Sequence, residues 1–305
     1  MKNISLKILA LGLGLLVAAP LIGLSFAAAK EAESAPLRVV VSILPQAWFA
    51  QQIGGPQVQV SVLVGPGHSP ATFEPTPRQL AELQDADLFI SAGVPFEKGL
   101  VPRVRALPNG PTLVGPEPGE GQDHEGHDHH GHHHHPDELD PHTWLDPMQA
   151  AASAQEMAEA FGRFRPDQAQ LFADRSASLK TRLTNLDQEI RTQLAPHAGR
   201  RFFVFHPAFG HFAAAYGLEQ VAVEDQGHEP GPRQLARVIN QAKADGATAI
   251  VVQPQFSEKA AGTVARAAGL QVINLDPLSD DYENNLRHIA QTLVRSFTTA
   301  GEESP

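Results

Sequence analysis

Residues 166–194 constrain the architecture of this chain more than any other stretch. Phe172, Leu179, Leu183, Leu186, Ile190 and Leu194 recur at steps of seven, four, three, four and four, which draws one apolar stripe along an α-helix. Pro166 suits a first helical position and Pro196 lies just past the end. At about 1.5 Å per residue such a helix extends on the order of 40 Å. This predicts a spine running along two lobes, with an ordinary surface helix of one domain as the alternative.

The same rhythm occurs on both sides of that helix. Apolar, β-branched runs at 37–44, 58–64 and 87–91 alternate with helix-like segments, and runs at 202–205, 218–223, 249–252 and 271–275 alternate with helices near 232–244, 258–268 and 282–298. The pattern predicts an α/β fold with two lobes, each a small parallel sheet flanked by helices. An internal echo relates them: residues 74–80 (EPTPRQL) recur at 229–235 (EPGPRQL), six of seven identical, each placing a proline at a helix start behind Thr76 or Gly231. The expected domains are an N-terminal lobe at 30–165, the linking helix at 166–196 and a C-terminal lobe at 197–305.

Composition narrows the function. The 305-residue chain carries 34 acidic against 23 basic residues, a net charge of -11, the wrong sign for a partner of the nucleic-acid backbone. It has no cysteine, which excludes disulfides, thiolate nucleophiles and a lipid anchor on cysteine, and leaves only histidine and carboxylate to hold a transition metal. Eight of the 15 histidines, His124, His127, His129, His130, His132, His133, His134 and His135, crowd into twelve residues. They lie in a segment, 115–140, with almost no apolar content, so a mobile loop is expected there. Tethered imidazoles raise the local metal concentration without a fixed geometry; a solvated linker that binds metal adventitiously is the alternative. Residues 1–29 carry Lys2 and Lys7, an apolar stretch from 8 to 28 and a small-residue end at Ala27, Ala28 and Ala29. They predict a cleaved export signal, with an uncleaved anchor as the alternative.

Outside the histidine run, three candidate ligands stand near element junctions: His142 in DPHTWLDP, His206 in FVFHPAFG just after a strand, and Asp276 in NLDPL just after another. The carboxyl ends of strands are where open α/β sheets bind ligands. An imidazole-rich set favours zinc over manganese.

These stretches, with VGPG at 64–67, TFEPTP at 72–77 and PQFS at 254–257, resemble the metal-binding solute receptors of zinc and manganese ABC importers along essentially the whole chain after residue 29. Zinc-selective members carry an acidic, His-rich insertion, here 123–135. The resemblance implies two α/β lobes joined by a rigid long helix, and one metal between them held by three histidines and often a carboxylate. His142, His206 and Asp276 match three of those positions. The fourth is lost: Ala71 stands where the family has its first histidine. His68, three residues earlier, is the candidate replacement, with water, Glu74, a loop histidine or a three-ligand site as the other possibilities. His211 reads as structural or surface, His228 as a weaker reserve, and His197 and His288 as surface residues.

The expected function is therefore a periplasmic zinc receptor, a monomer and not an enzyme, that delivers Zn2+ to an inner-membrane ABC permease. Glu74 and Glu229, one per echoed loop, are candidates for docking on basic residues of that permease; helix N-terminal charge compensation is the plainer role. A zinc buffer built on the loop, a repurposed receptor and a zinc hydrolase are the alternatives. The hydrolase lacks a His-Glu-x-x-His motif.

Overall fold

The computed structural model describes residues 35–116, 140–224, 231–256 and 258–302. The signal-like residues 1–29, the histidine run at 124–135, His228 and Glu229 lie outside them. Among the described residues no helix is long and apolar enough to cross a membrane.

The N-terminal half runs β1 (Leu37–Ile43), α1 (Leu44–Gly54), β2 (Val58–Val64), α2 (Pro77–Gln84), β3 (Leu88–Ile90), α3 (Glu97–Arg105), β4 (Thr112–Val114) and α4 (Pro147–Phe164). After α5 (Ala169–Leu194) come β5 (Arg201–Val204), α6 (Gly210–Ala215), β6 (Glu219–Ala222), α7 (Pro232–Ala244), β7 (Ala249–Val252), α8 (Glu258–Ala268), β8 (Gln271–Asn274) and α9 (Tyr282–Glu302). Each half forms a four-stranded parallel sheet, ordered β2-β1-β3-β4 and β6-β5-β7-β8. The two orders are the same, so α2 and α7 occupy equivalent places. Thr76 and Gly231 stand at the two N-caps with nearly the same backbone, φ -68 and ψ 158 against φ -65 and ψ 161. Only Thr76 adds a side-chain cap, accepting from the N–H of Gln79 at 3.3 Å.

Strand alternation sorts the core. Val39, Val41, Ile43, Leu88 and Ile90 join a central cluster shared with Phe202, Val204 and Val251 of the second sheet. Their neighbours point the other way. Val40 and Phe89 pack with Leu83, Leu100 and Val104, and Phe203, Ile250 and Val252 pack with Val238, Ala242 and Val264. This period of two, buried on both faces, is why the strands read as continuous apolar runs.

The long helix lies in the central layer. Its predicted stripe, Phe172, Leu179, Leu183, Leu186, Ile190 and Leu194, is at most 1% exposed. Pro166 opens a 3-10 turn (Pro166–Gln168) ahead of the α-helix, and a second such turn (Ala195–His197) ends it. Arg182 on α5 touches both halves: it donates to Gln52 of α1 at 2.8 Å and to Glu283 of α9 at 2.9 Å, and its guanidinium lies 5.4 Å from the Trp48 ring. The spine reading thus prevails over a surface helix of one domain. β4 and α6 leave little trace in the sequence: β4 is three residues of exposed and half-buried TLV, unlike the wholly buried β3 of the same length, and the six residues of α6 are too few to display a helical period.

Candidate metal centre

His206 leaves the carboxyl end of β5, beside the point between β5 and β7 where the strand order reverses. Gln253, just past β7, fixes its backbone from both sides: the His206 N–H donates to Gln253 Oε1 at 3.3 Å and Gln253 Nε2 donates to the His206 carbonyl at 2.6 Å. The ring stacks on Phe256 at 4.8 Å. Its Nδ1 is bonded to the carboxylate of Glu224, a residue only 5% exposed. A carboxylate accepts, so Nδ1 carries a proton, and in the neutral ring Nε2 is left with its lone pair.

His142 reaches the same state by a different local route. Asp140 Oδ1 accepts from the His142 backbone N–H at 3.0 Å and from its Nδ1 at 2.6 Å, so one carboxylate sets both main chain and ring. Burial alone raises the Asp140 pKa, but the charge and hydrogen bonds of His142, with the charge of His211, outweigh it and hold the carboxyl below its usual range. The Asp140 carboxylate also lies against Gly210, where a Cβ would collide with Oδ2. Downstream, Asp146 caps α4, accepting from Met148 N at 2.8 Å, with Pro147 at the first helical position.

The two rings face each other at a centroid separation of 5.4 Å and an angle of 74°. With Zn–N of about 2.0–2.1 Å and tetrahedral angles, two imidazoles on one zinc would have centroids about 5 Å apart. That centroid spacing is compatible with two imidazoles on one zinc, and each ring is backed by a carboxylate, as zinc-bound histidines commonly are.

Asp276 follows β8 and is pinned by one oxygen. Oδ1 accepts from Leu278 N at 2.9 Å and from Gln255 Nε2 at 2.8 Å, while Asn285 holds its carbonyl at 2.7 Å. Those bonds fall on Oδ1 and the main chain rather than on Oδ2. Among the described residues Gln255 Oε1 is buried without a hydrogen-bond partner, an acceptor suited to a metal-bound water. Among the described residues, no three His, Asp or Glu side chains converge closely enough to hold an ion as they stand.

His68 stands apart from that pair. It is exposed, its Nδ1 lies 3.1 Å from the Pro66 carbonyl, and its ring sits edge-on to Phe73 at 6.4 Å. Ala71 and Glu74 on the same loop are also exposed. His211 has a structural part: its Nε2 is 3.0 Å from the Asp140 carbonyl and its Nδ1 3.1 Å from Gln149 Nε2. His197 is half-buried beside Phe297 and His288 is exposed. Glu224 and Gln253 carry no sequence signal, because only the adjacency of β5, β6 and β7 brings them to His206. Gln255 and Phe256 lay within a recognised motif but had no role until the fold placed them.

Comparison with known proteins gives the same direction. The family model for the periplasmic component A of the zinc-uptake complex, ZnuA, matches residues 39–296. The zinc-binding lipoprotein AdcA of Streptococcus pneumoniae (strain ATCC BAA-255 / R6) is 30% identical over 286 residues, which cover 90% of this chain and 54% of AdcA. The zinc-binding protein AdcA of Streptococcus pyogenes serotype M3 (strain ATCC BAA-595 / MGAS315) is 27% identical over 294 residues, covering 88% and 57%. The chain thus spans about half the length of these curated relatives. A crystal structure of ZnuA superposes with a TM-score of 0.76 at 32% identity, covering 86% of this chain and 99% of that one. A zinc-bound deletion mutant of ZnuA has the same TM-score and identity, covering 86% and 98%. On the match of the family model across most of its length, the chain belongs to the ZnuA family of periplasmic zinc-uptake components.

Proposed function

We propose that this chain is a periplasmic zinc receptor that captures Zn2+ between its lobes with His142, His206 and Asp276 and delivers it to an ABC permease in the inner membrane. The observation that supports it most is the pair of facing imidazoles, 5.4 Å apart, each with Nδ1 tied to a carboxylate. Zinc closes the shell when Asp276 turns Oδ2 toward the pair and a fourth donor joins, either His68 swung in on its Gly/Pro-rich loop or a water held by Gln255. Imidazole-rich ligation argues for zinc over manganese, and zinc-binding relatives argue for capture over turnover. The reading takes 1–29 as an export signal, 30–165 and 197–305 as the lobes, 166–196 as the linker, and the protein as a monomer. The histidines at 124–135 collect metal for the cleft, and Glu74 and Glu229 dock on basic residues of the permease.

Calorimetry on mature protein lacking residues 119–136 tests it, beside His206→Ala in that background. One tight zinc site that the substitution abolishes is expected. Loss of all tight binding with the loop would instead make the protein a buffer.

A further inference from the structure

By chain order the segment carrying His142 belongs with the N-terminal sheet, yet its groups are bonded to the other lobe. Trp144 Nε1 donates to the carbonyl of Pro277 at 2.8 Å, and the Tyr282 hydroxyl donates to the carbonyl of Trp144 at 2.6 Å. Trp144 lies two positions after His142, and Pro277 immediately follows Asp276. His211, on α6, adds a third tie at the Asp140 carbonyl, 3.0 Å away. Trp144 and Tyr282 are 5% and 2% exposed, so their polar atoms must find partners inside the protein, and both bonds in this pair fasten main chain. Tyr282 is itself wedged: its ring meets Phe49 edge-on at 4.7 Å and Trp48 at 5.4 Å, both from α1 of the first lobe.

We propose that Trp144 and Tyr282 are positioning residues, a buried clamp that holds His142 in register with His206 and Asp276 by tying its segment to the chain at Pro277 and Tyr282. The loop at 65–73 lies outside the clamp. Its Pro70 carbonyl instead accepts from Phe96 N at 3.3 Å, a bond within the N-terminal lobe. Movement of the 65–73 loop on capture and release then leaves the imidazole pair intact. The effect on zinc rests on the function proposed above; the effect on the zinc-free protein does not.

The test uses the full-length chain and two variants, Tyr282→Phe, which removes only a hydroxyl, and Trp144→Phe. Histidine ring signals are followed by NMR without metal, and zinc affinity by competition with a chelator of known strength. In Tyr282→Phe the His142 ring signals should broaden or shift while those of His206, held by Glu224 and Phe256, stay. The zinc dissociation constant should rise about tenfold, and by less than threefold when Asp276→Ala is already present, because the clamp acts partly through that ligand. Unchanged His142 signals in both variants would overturn the clamp, as would an equal loss of affinity with and without Asp276. If His206→Ala leaves zinc affinity unchanged, the receptor reading fails instead, and the metal-free signals still decide the clamp.

Discussion

The two lobes share one sheet topology and put opposite chemistry at the end of its first strand. β5 runs into His206 and Pro207, and the imidazole keeps Nε2 free. β1 runs into Leu44 and Pro45, which open α1, and the polar groups there are consumed by one another. Ser42 Oγ is bonded to Glu97, whose carboxylate also accepts from Ala92 N and Gly93 N at 2.8 Å each, and Gln46 Nε2 donates to the Ser91 carbonyl at 2.8 Å. Each lobe thus buries a glutamate near the reversal of strand order, one spent on backbone N–H groups and one on an imidazole. An open parallel sheet offers a crevice at that point in both lobes; the side chains decide that only one first strand leads into an imidazole.

The contrast is broken most directly by His206→Ala, which should weaken zinc binding a hundredfold or more, on the order of 3 kcal/mol as a share of a four-ligand site. Calorimetry without residues 119–136 measures it, and a loss below tenfold would return the C-terminal crevice to equality with the N-terminal one.

Glu97 gives the next largest effect, on stability. Burial, partly offset by its hydrogen bonds, raises its pKa from 4.5 to about 7. A raised folded-state value means that its contribution is fully present below about pH 4.5 and is lost as pH rises through about 7, a change on the order of 3 kcal/mol. Denaturant titrations of zinc-free protein across that range should show the decline, and Glu97→Gln should flatten it. An unchanged slope in the variant would show that its carboxylate does not carry the effect.

Glu224→Ala should cost about 10–100-fold in zinc affinity, because an outer carboxylate fixes tautomer and orientation. Glu224→Gln should recover part of the loss through its amide oxygen; no recovery would point to charge instead. The smallest expected effect is His68→Ala, about tenfold if that ring swings in and none if water completes the shell, which separates the two closures of the site.

Legibility differed by the range of the interaction involved. The stripe on α5 could be read because consecutive apolar contacts on a helix repeat locally, and the echoed starts of α2 and α7 because capping depends on a few adjacent residues. His142, His206 and Asp276 stood out by lying at junctions in motif-like surroundings. Glu224, Gln253 and Phe256 did not, since each acts on His206 across strands or loops 18 to 50 residues away in the chain. The sequence showed Ala71 replacing a family ligand, but the exposed orientation of His68 depends on loop geometry.

What the sequence determined by itself was the class of fold and the ligand chemistry: two alternating α/β halves about an amphipathic helix, no thiolate, and imidazoles at element ends. These follow from periodicity and composition, which are properties of neighbours in the chain. Tertiary structure alone decided that His142 and His206 meet edge to face, that the buried carboxylate of Glu224 holds His206, and that Trp144 and Tyr282 bind the His142 segment to the opposite lobe. Those facts rest on contacts between residues up to 138 positions apart, where no local pattern records which surfaces will meet.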